Sequence, residues 1–141
     1  MADQQKSYNT KKAPEPVGLY PHAKQVGHLL FLSGVGPRER GTKAIPGVEM
    51  DEQGNVEFYD VEQQTHSVFR NITAILEDAG SGLDQLVDVT VFLTNMKEDF
   101  KTFNKVWAAY FPENPPCRTT VEVNALPTPI AVEFKCTATI D

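Results

Sequence analysis

Residues 60–80, DVEQQTHSVFRNITAILEDAG, and the run LVDVTVFL at 86–93 decide the fold between them. Asp60 stands where a helix N-cap belongs, with Gln63 three residues on as in a capping box. Behind it Val61, Thr65, Val68, Ile72, Ile75 and Ala79 recur every three or four residues, and Gly80 closes the pattern. The spacing predicts an amphipathic helix over 61–79. In residues 86–93 β-branched and apolar side chains fill nearly every position, which predicts a strand. A helix followed at once by a strand, with more of each beyond, points to helices laid on a sheet.

Downstream, Phe100, Phe103, Trp107 and Tyr110 form one stripe, and Pro112 stands just past it, predicting a second helix near 99–111. An aromatic stripe at this spacing is a core face. TTVEVNA (119–125) and IAVEFKCTATI (130–140) alternate polar with apolar across the Pro127–Pro129 turn and read as two strands. Upstream, HLLFLS (28–33) reads as a strand covered on both faces. Arg38 to Asn55, rich in charge and glycine, reads either as one long loop or as a loop entering a short strand over 56–59. Residues 1–16 are polar, carry Pro14 and Pro16, and are expected to form a loosely held arm before a single domain over 17–141. The expected architecture is α+β: one sheet with two helices on one face. The other face, to which Thr120, Glu122, Glu133, Lys135 and Thr137 are assigned, is too polar for a core and suits a wet subunit interface.

The 141 residues are enough for one domain, and 40% hydrophobic with 23% charged is the balance of a globular protein. A net charge of −6 argues against a nucleic-acid partner, which asks for a basic patch. No apolar run is long enough to span a membrane, and no apolar stretch follows the N-terminal lysines as in a signal peptide, so a cytoplasmic location is expected. Cys117 and Cys136 are too few for a disulfide framework and are expected to be reduced thiols. His22, His28 and His66 are scattered, so no metal site is expected.

No P-loop, dinucleotide fingerprint, H-E-x-x-H or G-x-S-x-G is present. Chemistry must come from ordinary polar groups placed by the fold. Arg118, between Pro115-Pro116-Cys117 and a strand, suits a bidentate grip on a carboxylate; on spacing alone, a surface arginine at a strand end is the readier reading. Glu133 lies between Val132 and Phe134. Beside apolar neighbours its carboxyl would hold its proton more tightly and could handle water; it could also simply face solvent.

Four blocks then resemble one known family, the RidA (YjgF-like) proteins, over Pro16 to Ile140. They are GLYPHA (18–23) with FLSG (31–34); Asn71-Ile72 through Ala79-Gly80; DVTVFL (88–93) with Asp99-Phe100 to Asn104; and PCRTTVEV (116–123) with Leu126-Pro127 and Val132-Glu133. The resemblance implies a chorismate-mutase-like single mixed sheet, a homotrimer with a barrel-like centre, and cofactor-free, metal-free hydrolysis of enamines and imines in clefts between subunits. It assigns Arg118 to the substrate carboxylate, Glu133 to the attacking water, and Tyr20, Ser33, Gly34 and Asn104 to the cleft lining. His22 stands where the family usually has glutamine, and Thr120 where many members have cysteine; both are expected to alter substrate choice. The length, the loop GPRERGTK (36–43) and the turn ALPTPIAVE (125–133) resemble most the branch acting on 2-aminomuconate. That substrate carries a second carboxylate, for which Arg38 or Arg40, then Lys43 and His22, are candidates, unless the loop is merely a solvated charged segment. Two other readings stand beside it: a general scavenger of reactive enamines such as 2-aminoacrylate, and a trimeric ligand-binding protein without turnover. Ribonuclease and translation-inhibitor roles known in the family fit poorly with the acidic charge.

Overall fold

The computed structural model describes residues 4–42 and 44–141. Its strands are β1 (Gln5–Tyr8), β2 (Ala23–Val26), β3 (Leu29–Leu32), β4 (Val48–Met50), β5 (Val56–Tyr59), β6 (Leu86–Leu93), β7 (Cys117–Glu122) and β8 (Val132–Thr139); the helices are α1 (Val61–Ala79) and α2 (Met96–Tyr110). α1 begins and ends where its caps predict. The Asp60 carboxylate accepts from the amides of Glu62 and Gln63, and Gly80 takes the left-handed conformation, φ 93°, that lets the chain leave the last turn. α2 starts three residues before its expected position. The Asn95 side chain accepts from the Glu98 amide and caps it there, a signal the aromatic stripe alone does not carry.

Six strands form one mixed sheet in the order β1-β2-β3-β8-β6-β7, antiparallel except for the parallel pair β6 and β7. Both helices pack on one face. Val89, Val91 and Leu93 of β6 and Val132, Phe134, Cys136 and Ala138 of β8 point into that core, all at 0% exposure. Phe134 meets Phe69 of α1 and Phe103 of α2 edge-on, with ring centroids 5.2 and 5.9 Å apart, so one strand residue ties the two helices to the sheet. Burying each such side chain stabilises the fold by about 1.5–3 kcal/mol. The expected α+β layering is therefore the observed one.

Three features differ from the sequence expectation. Where a loose arm is expected, Gln5–Tyr8 add an edge strand to β2, itself unforeseen. The long charged segment contains β4, which pairs with β5 as a separate hairpin. Third, β7 starts at Cys117 and lies in parallel register with β6, so that Arg118 stands opposite Val89 and Thr120 opposite Val91. Arg118, Thr120 and Glu122 therefore lie on the helix-covered side of the edge strand, and Glu122 accepts from the first amide of α2. The assignment of Thr120 and Glu122 to the open face is corrected accordingly. That face carries Glu133, Lys135 and Thr137 with Leu29, Phe31 and Val121, the last three 36–40% exposed.

Candidate active site

β3 ends at Leu32, and the next two residues, Ser33 and Gly34, run alongside β8 before Val35 bridges to Phe134. This places Gly34 against Glu133. A Cβ built on Gly34 would sit 3.0 Å from the Glu133 carboxyl carbon and 3.0 Å from Oε2, so only glycine lets the carboxylate lie flat here. Glu133 is half-buried, and burial pushes its carboxyl above the usual carboxylate range. No described cation pairs with it, the Arg40–Glu15 contact being the only ion pair among the described residues. Lys135, next on the same face, donates instead to the Leu32 carbonyl.

Glu133 opens into a small, open-mouthed cavity of about 60 Å³. Tyr20, His22, Ser33, Gly34 and Arg38, all candidates from the sequence, also line it. The structure adds residues that no sequence signal marked: Ala13 to Val17 form one wall, and Pro127, Thr128 and Ile130 form part of another. Gln64 of α1 fixes that second wall by accepting from the Ala131 amide at 2.8 Å. The Tyr20 hydroxyl accepts from the Val17 amide and keeps its proton to donate. The Ser33 hydroxyl proton goes to the Pro21 carbonyl, which leaves that oxygen free to accept.

His22 and Arg40 depart from the role expected of them. Nδ1 of His22 accepts from the Thr10 amide at 3.0 Å, so Nε2 carries the ring proton and donates to the Pro14 carbonyl at 2.7 Å. With both nitrogens engaged, the buried imidazole offers the cavity no free polar atom. Arg40 lies outside the cavity lining and donates to the carbonyls of Thr10 and Ala13 while pairing with Glu15. Both residues hold the wall rather than face its interior. Lys43, the remaining candidate in that loop, lies outside the described residues.

Arg118, Thr120 and Asn104 are not in this cavity. The Arg118 guanidinium carbon lies 5.8, 5.2 and 5.0 Å from the ring centroids of Phe100, Phe103 and Trp107. Asn104 is exposed on the same side of α2, four residues after Phe100 and three before Trp107. Half-burial pushes the Arg118 guanidinium below its usual value, yet among the described residues it meets aromatic faces and no carboxylate. Because β6 separates β7 from β8, and Arg118 is offset from Glu133 by three residues along the strands, the two are about 14 Å apart in backbone and project to opposite faces.

No group of three or more His, Cys, Asp or Glu side chains that could hold a metal ion is found among the described residues. No described helix is long and apolar enough to cross a membrane. Cys117 and Cys136 are both free thiols, the latter buried and pushed up to about 12.

Comparison with known proteins gives one consistent answer. The family model described as endoribonuclease L-PSP matches residues 10–140. A RutC family protein of Pyrococcus abyssi is 38% identical over 129 residues, covering 92% of each chain. The chloroplastic Reactive Intermediate Deaminase A of Arabidopsis thaliana is 37% identical over 132 residues, 94% of this chain and 64% of that one. Among solved structures, RidA from an Antarctic Psychrobacter superposes with a TM-score of 0.82 at 33% identity, covering 96% of this chain and 99% of that one. The YjgF gene product of E. coli gives 0.81 at 29% identity, with 95% and 98% covered.

Proposed function

The chain belongs to the endoribonuclease L-PSP family, the family of the RutC and RidA proteins, and we propose that it is a cytoplasmic, cofactor-independent enamine/imine deaminase working in clefts between the subunits of a homotrimer. The observation that carries this reading is the unpaired Glu133 carboxylate, backed by Gly34 at the floor of an open cavity and held above its usual pKa by burial.

An imine carbon next to a carboxylate is already electrophilic, so the protein need only hold the carboxylate, orient water and move protons. Arg118 of one copy takes the substrate carboxylate in a bidentate grip. Glu133 of the neighbouring copy accepts a proton from water as its oxygen bonds to the imine carbon and the C=N π pair moves to nitrogen. Glu133 then returns that proton to the amine. Collapse of the carbinolamine breaks the C–N bond, leaving a 2-oxo acid and ammonia. Such positioning supplies several kcal/mol of barrier reduction. The substrate we favour is 2-aminomuconate, which yields 2-hydroxymuconate or its keto tautomer. The relative named for reactive intermediates supports equally a general scavenger of short enamines such as 2-aminoacrylate. Nucleolytic action, suggested by the family model's description, is disfavoured by the net charge of −6.

Ammonia release from 2-aminomuconate and from freshly generated 2-aminoacrylate, measured side by side, tests the reading. Turnover of either substrate supports the deaminase, and preference between them chooses the substrate. Tight binding of both without ammonia would make the protein a ligand-binding trimer instead.

A further inference from the structure

Three side chains converge on the segment from Thr10 to Val17 that walls the cavity, and their bonding separates them. His22 and Arg40 are both committed to the wall through Thr10, Ala13, Pro14 and Glu15. Arg40 also neutralises Glu15, at 3.4 Å, the acidic side chain on that wall. Arg38 lines the cavity and donates through one nitrogen, Nη2, to the Glu15 carbonyl at 2.7 Å. No carboxylate pairs with it among the described residues. A guanidinium offers five N–H donors, so a single carbonyl leaves most of them for something else.

We propose that Arg38 is an anion-binding group of this cavity and that it sets the substrate class: an unsaturated amine or imine with a second acidic group beyond the carboxylate at its reacting end. This rests on the deaminase reading of the same site. Arg38 and Glu133 line the same cavity, and Arg38 follows Gly34, which backs Glu133, by only four residues, a backbone span of at most about 14 Å. The cavity's charge pattern is then ordered. Glu15 is cancelled by Arg40, Glu133 stands at the hydrolytic end, and Arg38 is the uncompensated positive charge. A ligand with one carboxylate satisfies Arg118 of the neighbouring copy and leaves Arg38 unmet; one with two satisfies both.

The test is binding rather than turnover, so that it fails separately from the deaminase reading. Muconate and its monocarboxylate counterpart sorbate are titrated calorimetrically into the wild-type protein, Arg38→Ala, Arg38→Gln and Arg40→Ala. Arg38→Gln retains a donor for the Glu15 carbonyl and so keeps the wall while removing the charge. The wild type is expected to prefer muconate, and both Arg38 variants to lose about tenfold of that preference. Arg40→Ala weakens both ligands together and leaves their ratio in place. A wild type that binds muconate no tighter than sorbate, or not at all, overturns the proposal, as does a preference that survives in both Arg38 variants. Failure of ammonia release with an Arg38-dependent preference intact would instead remove the deaminase reading and keep the anion site.

Discussion

At the scale of single residues, the account separates two charged groups by the kind of defect their loss produces. Arg118 binds through a flat fork of donors over aromatic rings, so Arg118→Lys keeps the charge but not the paired contact or the stacking. Arg118→Ala and Arg118→Lys are both expected to lose about 2–4 kcal/mol in kcat/KM for ammonia release. Near wild-type efficiency in either would remove Arg118 as the anchor. As the proposed base, Glu133 must be ionised. Burial raises its pKa, and the ionised fraction therefore falls as pH falls through a value above that of a solvent-exposed carboxylate. The acidic limb of the kcat/KM profile is expected at that elevated position. Glu133→Gln should abolish the limb and slow kcat by roughly a hundredfold or more, with substrate affinity kept. A raised KM with unchanged kcat would make Glu133 a binding residue.

At the scale of elements, what could be read in advance follows from how locally each signal is written. α1 was legible to its caps because Asp60, the apolar period and Gly80 all lie within the segment itself. β8 was legible because burial of one face writes alternation into the chain, and β6 because β-branched and apolar residues fill nearly all of it. β1 and β2 were not: Gln5–Tyr8 has the burial of an exposed edge, and its order comes from backbone pairing with β2. The face on which Arg118 points was also illegible, since a strand's alternation gives its parity but not which side the neighbouring strand assigns to it. The same limit applies to His22 and Arg40, whose partners on the cavity wall are known only once the chain has folded. The hairpin of β4 and β5 was half-seen, and one bond ties it to α2, the Tyr59 hydroxyl donating to Asp99 at 2.7 Å. Asp99 is 6% exposed, and its burial pushes its carboxyl up, the Tyr59 bond partly opposing this. Tyr59→Phe leaves that acid without its donor and should cost about 1–3 kcal/mol in urea unfolding. An unchanged midpoint would show that the hairpin is held by something else.

At the scale of the whole molecule, the decisive fact is that Arg118 and Glu133 of one chain cannot meet. Arg118 projects beside α2 on the helix-covered side of β7, whereas Glu133 projects from the other face of β8. The open face, with Leu29, Phe31 and Val121 exposed beside polar residues, offers the surface on which copies can assemble. In the proposed closed ring, every interface would join one copy's Arg118 to the next copy's Glu133. Arg118→Ala and Glu133→Gln, each nearly inactive alone, should therefore complement one another. When the two are unfolded together in equal amounts and refolded, about one interface in four receives an intact arginine from one variant and an intact glutamate from the other. The measurement is ammonia release by that co-refolded mixture against wild type refolded in the same way. The account predicts recovery to about a quarter of wild-type activity, and a mixture no more active than its two parents would contradict it.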